Sequence, residues 1–294
     1  MDGILIIDKP EGKTSADVVR VVKQRLHCKT GHLGTLDPFA SGVLPLCVGD
    51  GTKVAQFLNT ADKEYVGVIR LGSETETGDP TGPVTQTAAV PALRRGQLEA
   101  AAERFQGELE QTPPMYSALK HHGTPLYKLA RQGIAVTRRS RRVYITALHL
   151  SDRGDGTLEF SVSCSKGTYI RVLAQDIAAA LGTIGHVAVL RRTRFGPFRI
   201  EMATALSTFG ENIPPVIDLR QSLGHLQEIH LDAAVAQRAR QGYAPVLASL
   251  RRAARAEIAK LIAPDGGLVA IVSADSRGEW RFARVFPQLG RAEL

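Results

Sequence analysis

One acidic residue stands in the sixteen-residue stretch GHLGTLDPFASGVLPL, Gly31 to Leu46. Asp37 sits between Leu36 and Pro38, among glycines and small residues. No second carboxylate adjoins it, no metal-ligand spacing is present, and no serine–histidine pair stands beside it. Asp-Pro is a common turn pair, so the carboxylate could serve only the backbone. A phosphoryl-accepting aspartate is a second reading, but such a site takes a D-x-D pair for magnesium, and here the aspartate follows Gly-Thr without one. The third is a nucleophilic carboxylate that forms a covalent adduct without a metal. On the loop alone, the turn leads.

The nucleophile needs accessories. A cation must keep it ionised and aimed, and arginine does this well. A nucleobase substrate needs a flat surface to stack on. A base extruded from folded RNA leaves a space that must be filled. Arg171, Tyr65 and His32 are candidates for the three tasks. Taken singly, Arg171 reads as a surface helix residue, Tyr65 as a core aromatic and His32 as a loop histidine.

The elements around these residues follow from pattern. GILIIDKPEGKTSADVVRVVKQRL reads as strand, turn and helix. Thr14 and Asp17 form a capping box, and Val18, Val22 and Leu26 recur at helical spacing. EYVGVIRLG alternates as a strand, with Tyr65, Gly67, Ile69 and Leu71 on one face. GSETETGDPTGPV reads as an acidic, exposed, turn-rich loop. QLEAAAERFQG reads as a helix with Leu98, Ala101, Ala102 and Phe105 inward, and a short helix is expected from about Pro125 to Gln132. TLEFSVSCSKGTYIRVLAQDIAAALG is the clearest strand–turn–helix unit, and it places Arg171 in the first helical turn. A new unit is expected from about residue 227. In it, LASLRRAARAEIAKL could be helical or a flexible basic loop, and GLVAIV and EWRFARVF read as strands across SADSRG.

Composition sets the class. The chain has 294 residues, 44% of them hydrophobic and 22% charged, which fits a globular protein of more than one domain. Its net charge of +8 rests mostly on arginine, which pairs with phosphates and stacks on bases. That is compatible with nucleic acid, and equally with the arginine and alanine bias of a GC-rich genome. Cys28, Cys47 and Cys164 are far apart, against a disulfide framework or zinc site. No apolar run reaches membrane-spanning length and the start lacks a basic leader, so the expected location is cytoplasmic, with no membrane partner.

In combination the segments are recognisable. GHLGTLDPFASGVLPL resembles the catalytic segment of the TruB family of pseudouridine synthases, roughly G-H-x-G-T-L-D-P-x-A-[ST]-G-V-L-P. GILIIDKPEGKTS, DKEYVGVIRLGSETETGD, TPPMYSALKHHGTPLYKLARQGI, CSKGTYIRVLAQDIAAALG and VAVLRRTRFGPF resemble its other segments, in the expected order over most of residues 1 to about 200. The resemblance implies an isomerase that converts uridine to pseudouridine at position 55 of the tRNA T loop, with no cofactor and no metal. It implies an α+β catalytic domain, residues 1–226, with a mixed, largely antiparallel sheet. A small β-rich PUA-like domain, residues 227–294, would contact the acceptor stem. Carried over by position, Asp37 initiates cleavage, Arg171 holds it ionised at a low pKa, and Tyr65 stacks on the target base and assists proton removal from C5. Leu190 lines the pocket, His32 fills the space left by flipped nucleotides, Lys9 and Pro10 shape the pocket floor, and Lys120, Lys128 and Arg131 meet phosphates. A monomer acting on tRNA without guide RNA is expected. The rival readings are a non-catalytic RNA-binding or tRNA-folding protein and a guide-RNA-dependent relative.

Overall fold

The structure, a computed structural model, describes residues 1–59, 61–210 and 214–287. Among these, ten strands form one large sheet. Its path runs Thr204–Ala205, Gly3–Lys9, Ser41–Val48, Gly185–Phe195, Lys63–Leu71, Thr157–Cys164, Arg141–Asp152, Gly107–Gln111. Two short strands, Thr30–His32 and Phe198–Arg199, attach at its side. Pairing is antiparallel except where Gly3–Lys9 meets Thr204–Ala205 and Gly185–Phe195 meets Ser41–Val48. The fold is therefore α+β with a mixed, largely antiparallel sheet, as expected.

Local signals explain the elements nearest the cleft. The Thr14 hydroxyl accepts from the Asp17 amide at 3.1 Å, and the Asp17 carboxylate accepts from the Thr14 amide at 3.0 Å, which starts the Ser15–Leu26 helix. That helix buries Val18 and Val22 against Leu5, Ile7, Leu44 and Leu46. Along Lys63–Leu71, the inward Lys63, Tyr65, Ile69 and Leu71 alternate with exposed Val66 and Arg70. The Ile170–Ala180 helix lays Leu173 and Ile177 on that face, together with Leu98 and Ala102 of Arg95–Arg104. Each buried valine, leucine or isoleucine among these contributes about 1.5–3 kcal/mol of apolar transfer.

Close packing sets backbone requirements beside the cleft. Gly42 has φ +106°, and a Cβ there would lie 2.2 Å from the Arg192 carbonyl across the parallel pairing. Gly42→Ala is expected to lower stability by about 2 kcal/mol or more through strain and overpacking. Denaturant unfolding checks this; an unchanged midpoint would contradict so close an approach.

Two expectations are corrected. The loop 72–84 is not simply exposed. Ser73–Thr75 pairs with Val84–Thr87, and Thr75 and Asp79 are buried. The threonine hydroxyls and backbone around Asp79 supply its hydrogen bonds, so the polar sequence can fold inward. Nor is the arginine- and alanine-rich segment a long helix. Ala244–Ser249 is a 3-10 turn and Ile258–Ile262 is a strand. The four successive buried residues Ala259 to Ile262 suit a strand covered on both faces.

That strand lies inside a four-stranded sheet, ordered Gln227–His230, Ile258–Ile262, Leu268–Ala274, Trp280–Val285. The hairpin across SADSRG is present as expected. This β-rich C-terminal unit has its own core around Leu261, Val272 and Trp280. Ile271 and Phe286 join Ile4, Val54 and Leu58 in a core shared with the larger sheet. No helix among the described residues is long and apolar enough to cross a membrane.

Candidate active site

The Asp37 loop is tied down mainly through its backbone. Leu36, Phe39 and Ala40 are buried. The Ser15 hydroxyl accepts from the Leu36 amide at 2.9 Å, and the Asp37 carbonyl accepts from the Ala40 amide at 3.1 Å. Two buried cations hold neighbouring carbonyls. Lys9 Nζ donates to Pro38 at 3.2 Å, and to Pro10 and Lys13. Arg192 donates to Gly34 at 3.0 Å, Thr35 at 3.4 Å and Val43 at 2.8 Å. These contacts leave the Asp37 side chain free to face a cleft.

Arg171 meets it there. Its Nε lies 3.0 Å from Asp37 Oδ2, and its Nη1 lies 3.6 Å from the carboxylate of buried Asp79. Nη1 also donates to the Thr77 carbonyl and Nη2 to the Tyr116 carbonyl, both at 2.7 Å. The guanidinium is thus fixed on several sides, and Asp37 is the partner that reaches the cleft, with 36% of its side chain exposed.

The electrostatics correct the expected low pKa of Asp37. Withdrawal from solvent raises its pKa above the ordinary carboxylate value; Arg171 opposes the rise and Asp79 adds to it. A single guanidinium serving two carboxylates neutralises neither fully. Burial likewise raises the Tyr65 pKa, with Arg192 opposing. Tyr65 is therefore a neutral phenol at pH 7, suited to stacking and hydrogen bonding.

The cleft encloses about 570 Å³. Asp37, Tyr65, Arg171 and Leu190 all line it, so the structure brings these four expected site residues together. It does not place the others on the lining. Lys9 is fully buried behind the loop, Pro10 is exposed, and His32 lies on the short Thr30–His32 strand. Lys120 is exposed on a small hairpin beyond Leu119, which does line the cleft. Lys128 and Arg131 lie in and just after the short Leu126–Ala130 helix.

Asp79, Lys63 and Arg192 were missed as site residues from the sequence. For Asp79 the signal is the Thr77-Gly78-Asp79-Pro80-Thr81 run, in which both threonine hydroxyls bond its carboxylate. For Lys63 and Arg192 it is strand alternation, which puts both on the inward face with Tyr65. The cleft thus offers a fixed carboxylate–guanidinium pair, an aromatic platform and an apolar wall, walled by further cations.

Comparison with known proteins gives the same direction. Residues 20–170 match the TruB family pseudouridylate synthase N-terminal domain, and residues 171–213 match the tRNA pseudouridylate synthase B C-terminal domain. The chain is 45% identical over 235 residues to tRNA pseudouridine synthase B of Hydrogenovibrio crunogenus, covering 79% of this chain and 78% of that one. It is 44% identical over 283 residues to the Burkholderia mallei protein of the same name, covering 94% and 91%. In structure it resembles the crystal structure of a Cbf5-Nop10-Gar1 complex, with TM-score 0.73 and 25% identity over 97% of this chain and 85% of that one. Family matches spanning residues 20–213, with relatives this similar over most of their lengths, establish that the chain belongs to the TruB family of pseudouridylate synthases.

Proposed function

We propose that this protein converts uridine to pseudouridine at position 55 in the T loop of tRNA, with Asp37, Tyr65 and Arg171 as its catalytic residues. The observation behind the reading is the Asp37–Arg171 pair at 3.0 Å, in a cleft that Tyr65 and Leu190 also line. The target nucleotide leaves the T-loop stack and enters the cleft, where its base stacks on Tyr65 and packs on Leu190. Asp37, aimed by Arg171, initiates cleavage of the glycosidic bond. The uracil turns, C5 bonds to C1′, and a proton leaves C5 while N1, released from the ribose, takes one up. Substrate and product are isomers, so the reaction calls for no redox cofactor.

The surroundings serve binding. Lys9 supports the catalytic loop through Pro38, next to Pro10, and His32 fills space vacated by flipped nucleotides. Lys120, Lys128 and Arg131 meet phosphates, which makes binding salt-sensitive. Residues 1–226 form the catalytic domain, and residues 227–294 a PUA-like domain for the acceptor stem. The protein works as a cytoplasmic monomer without guide RNA. The test is tritium release from a tRNA transcript labelled at uracil C5, with no other RNA added. Release equal to the unlabelled turnover of position 55 supports the reading; RNA binding without release favours a purely RNA-binding role.

Asp79 tunes the site electrostatically. The acid limb of the single-turnover rate reports ionisation of Asp37 and is expected above the ordinary aspartate pKa of about 3.9. Asp79→Asn removes a neighbouring negative charge, so the Asp37 pKa falls and the limb moves to lower pH. A limb that moves to higher pH would show instead that Asp79 acts by holding Arg171 in place.

A further inference from the structure

Lys63 is a buried cation whose task the loop-holding contacts leave unexplained. It lies two residues before Tyr65 on the same strand face and lines the same cleft. Only 8% of it is exposed. Its Nζ donates to the Ala61 carbonyl at 2.7 Å and sits 4.6 Å from the centroid of the Phe195 ring. No carboxylate among the described residues forms an ion pair with it, whereas Arg171 has two such partners and Arg191 and Arg194 one each. An ammonium has three donors, and one carbonyl uses one of them. Burying such a charge without an anionic partner is costly. Its position beside Tyr65 suggests that the partner comes with the substrate.

We propose that Lys63 is a further catalytic residue: its ammonium meets the uracil and stabilises the negative charge the base acquires when its bond to ribose breaks. The proposal deepens the pseudouridine-forming reading and rests on it. When C1′–N1 breaks, its electron pair goes to N1 and delocalises onto O2 and O4. C5 then bonds to C1′ and loses its proton, while N1 gains one, so the atoms balance without another reactant. A fixed cation on a water-poor wall is suited to charge that develops during the reaction. Arg192 is less free for this task, since its donors hold the Gly34, Thr35 and Val43 carbonyls. Burial, with Arg192 nearby, lowers the Lys63 pKa to about 8, while Cys164 and Asp62 oppose the fall and Lys166 adds to it. At pH 7 Lys63 is therefore still mostly charged.

The test compares single-turnover glycosidic cleavage in two T-arm RNAs, one with uridine and one with 5-fluorouridine at the target. Fluorine stabilises the uracil anion and makes it a better leaving group. Lys63→Met is expected to slow the uridine substrate by roughly 10²-fold and the fluorinated one distinctly less, with RNA affinity retained. Lys63→Arg, which keeps the charge, recovers most of the rate. Should Lys63→Met not fold, Lys63→Gln keeps a polar head for Ala61 and is expected to show the same contrast. An equal defect on both RNAs, or a defect accounted for by lost RNA affinity, overturns the proposal while the functional reading stands. A wild-type protein inert on both RNAs overturns the reading and the proposal with it.

Discussion

Asp37→Asn is expected to lower the single-turnover rate by roughly 10⁴-fold or more, with tRNA affinity little changed. The two side chains have nearly the same shape, and the loop is held by contacts the substitution does not touch. The Leu36 amide still meets Ser15, the Pro38 carbonyl still meets Lys9, and Arg192 still holds Gly34 and Thr35. What is lost is the anionic oxygen aimed by Arg171. An amide is neither a comparable nucleophile nor a comparable base. Arg171 keeps Asp79, Thr77 and Tyr116 as partners, so the fold is expected to survive. Rates from pre-bound complexes, with affinity measured separately, check this. A loss confined to affinity would place Asp37 in binding.

Arg171→Met is expected to damage both rate and stability. Arg171 is 4% exposed, and its guanidinium contacts two carboxylates and two carbonyls. Removing it leaves the buried Asp79 carboxylate without its counter-ion, a change that costs about 3–5 kcal/mol for a broken buried pair. Asp37 loses its aiming partner as well, and the rate is expected to fall by roughly 10²–10³-fold, on the scale of losing one well-placed electrostatic donor. Arg171→Lys is expected to rescue little, because an ammonium cannot span Nε and two Nη positions at once. Urea unfolding beside the single-turnover rate separates the two effects. Full stability in Arg171→Met would mean that Asp79 finds another donor.

Much of this architecture was legible in the chain. The Thr14–Asp17 capping box starts the first helix, and the Ile170, Leu173, Ile177 spacing marks the helix that presents Arg171. Alternation in EYVGVIRLG puts Tyr65 inward. Asp37, Tyr65 and Arg171 stand out in their own segments, Leu190 follows only from the family resemblance, and the cleft gathers all four.

What escaped the sequence was set by contacts between distant segments. SETETGDPTG has the composition of an exposed turn, but Asp79 is buried among threonine hydroxyls with Arg171, from a distant element, as its ion-pair partner. Asp37 therefore shares its cation, and partial burial, with the Asp79 charge nearby, raises its pKa instead of leaving it low. LASLRRAARAEIAKL has helix-favouring residues, but strands on both sides draw Ile258–Ile262 into a sheet. Lys63 and Arg192 carry the charge of surface residues, but alternation along one strand puts Lys63 on the Tyr65 face and cross-strand register sets Arg192 opposite Tyr65.

The central claim is that Asp37 makes pseudouridine in the T loop. Its most direct test maps pseudouridine along a full tRNA transcript after incubation with wild-type protein or with Asp37→Asn, no guide RNA being present. The account predicts one new pseudouridine, at position 55, with the wild type and none with Asp37→Asn over the same time. Equal modification by the two proteins, or modification elsewhere with position 55 untouched, would contradict it.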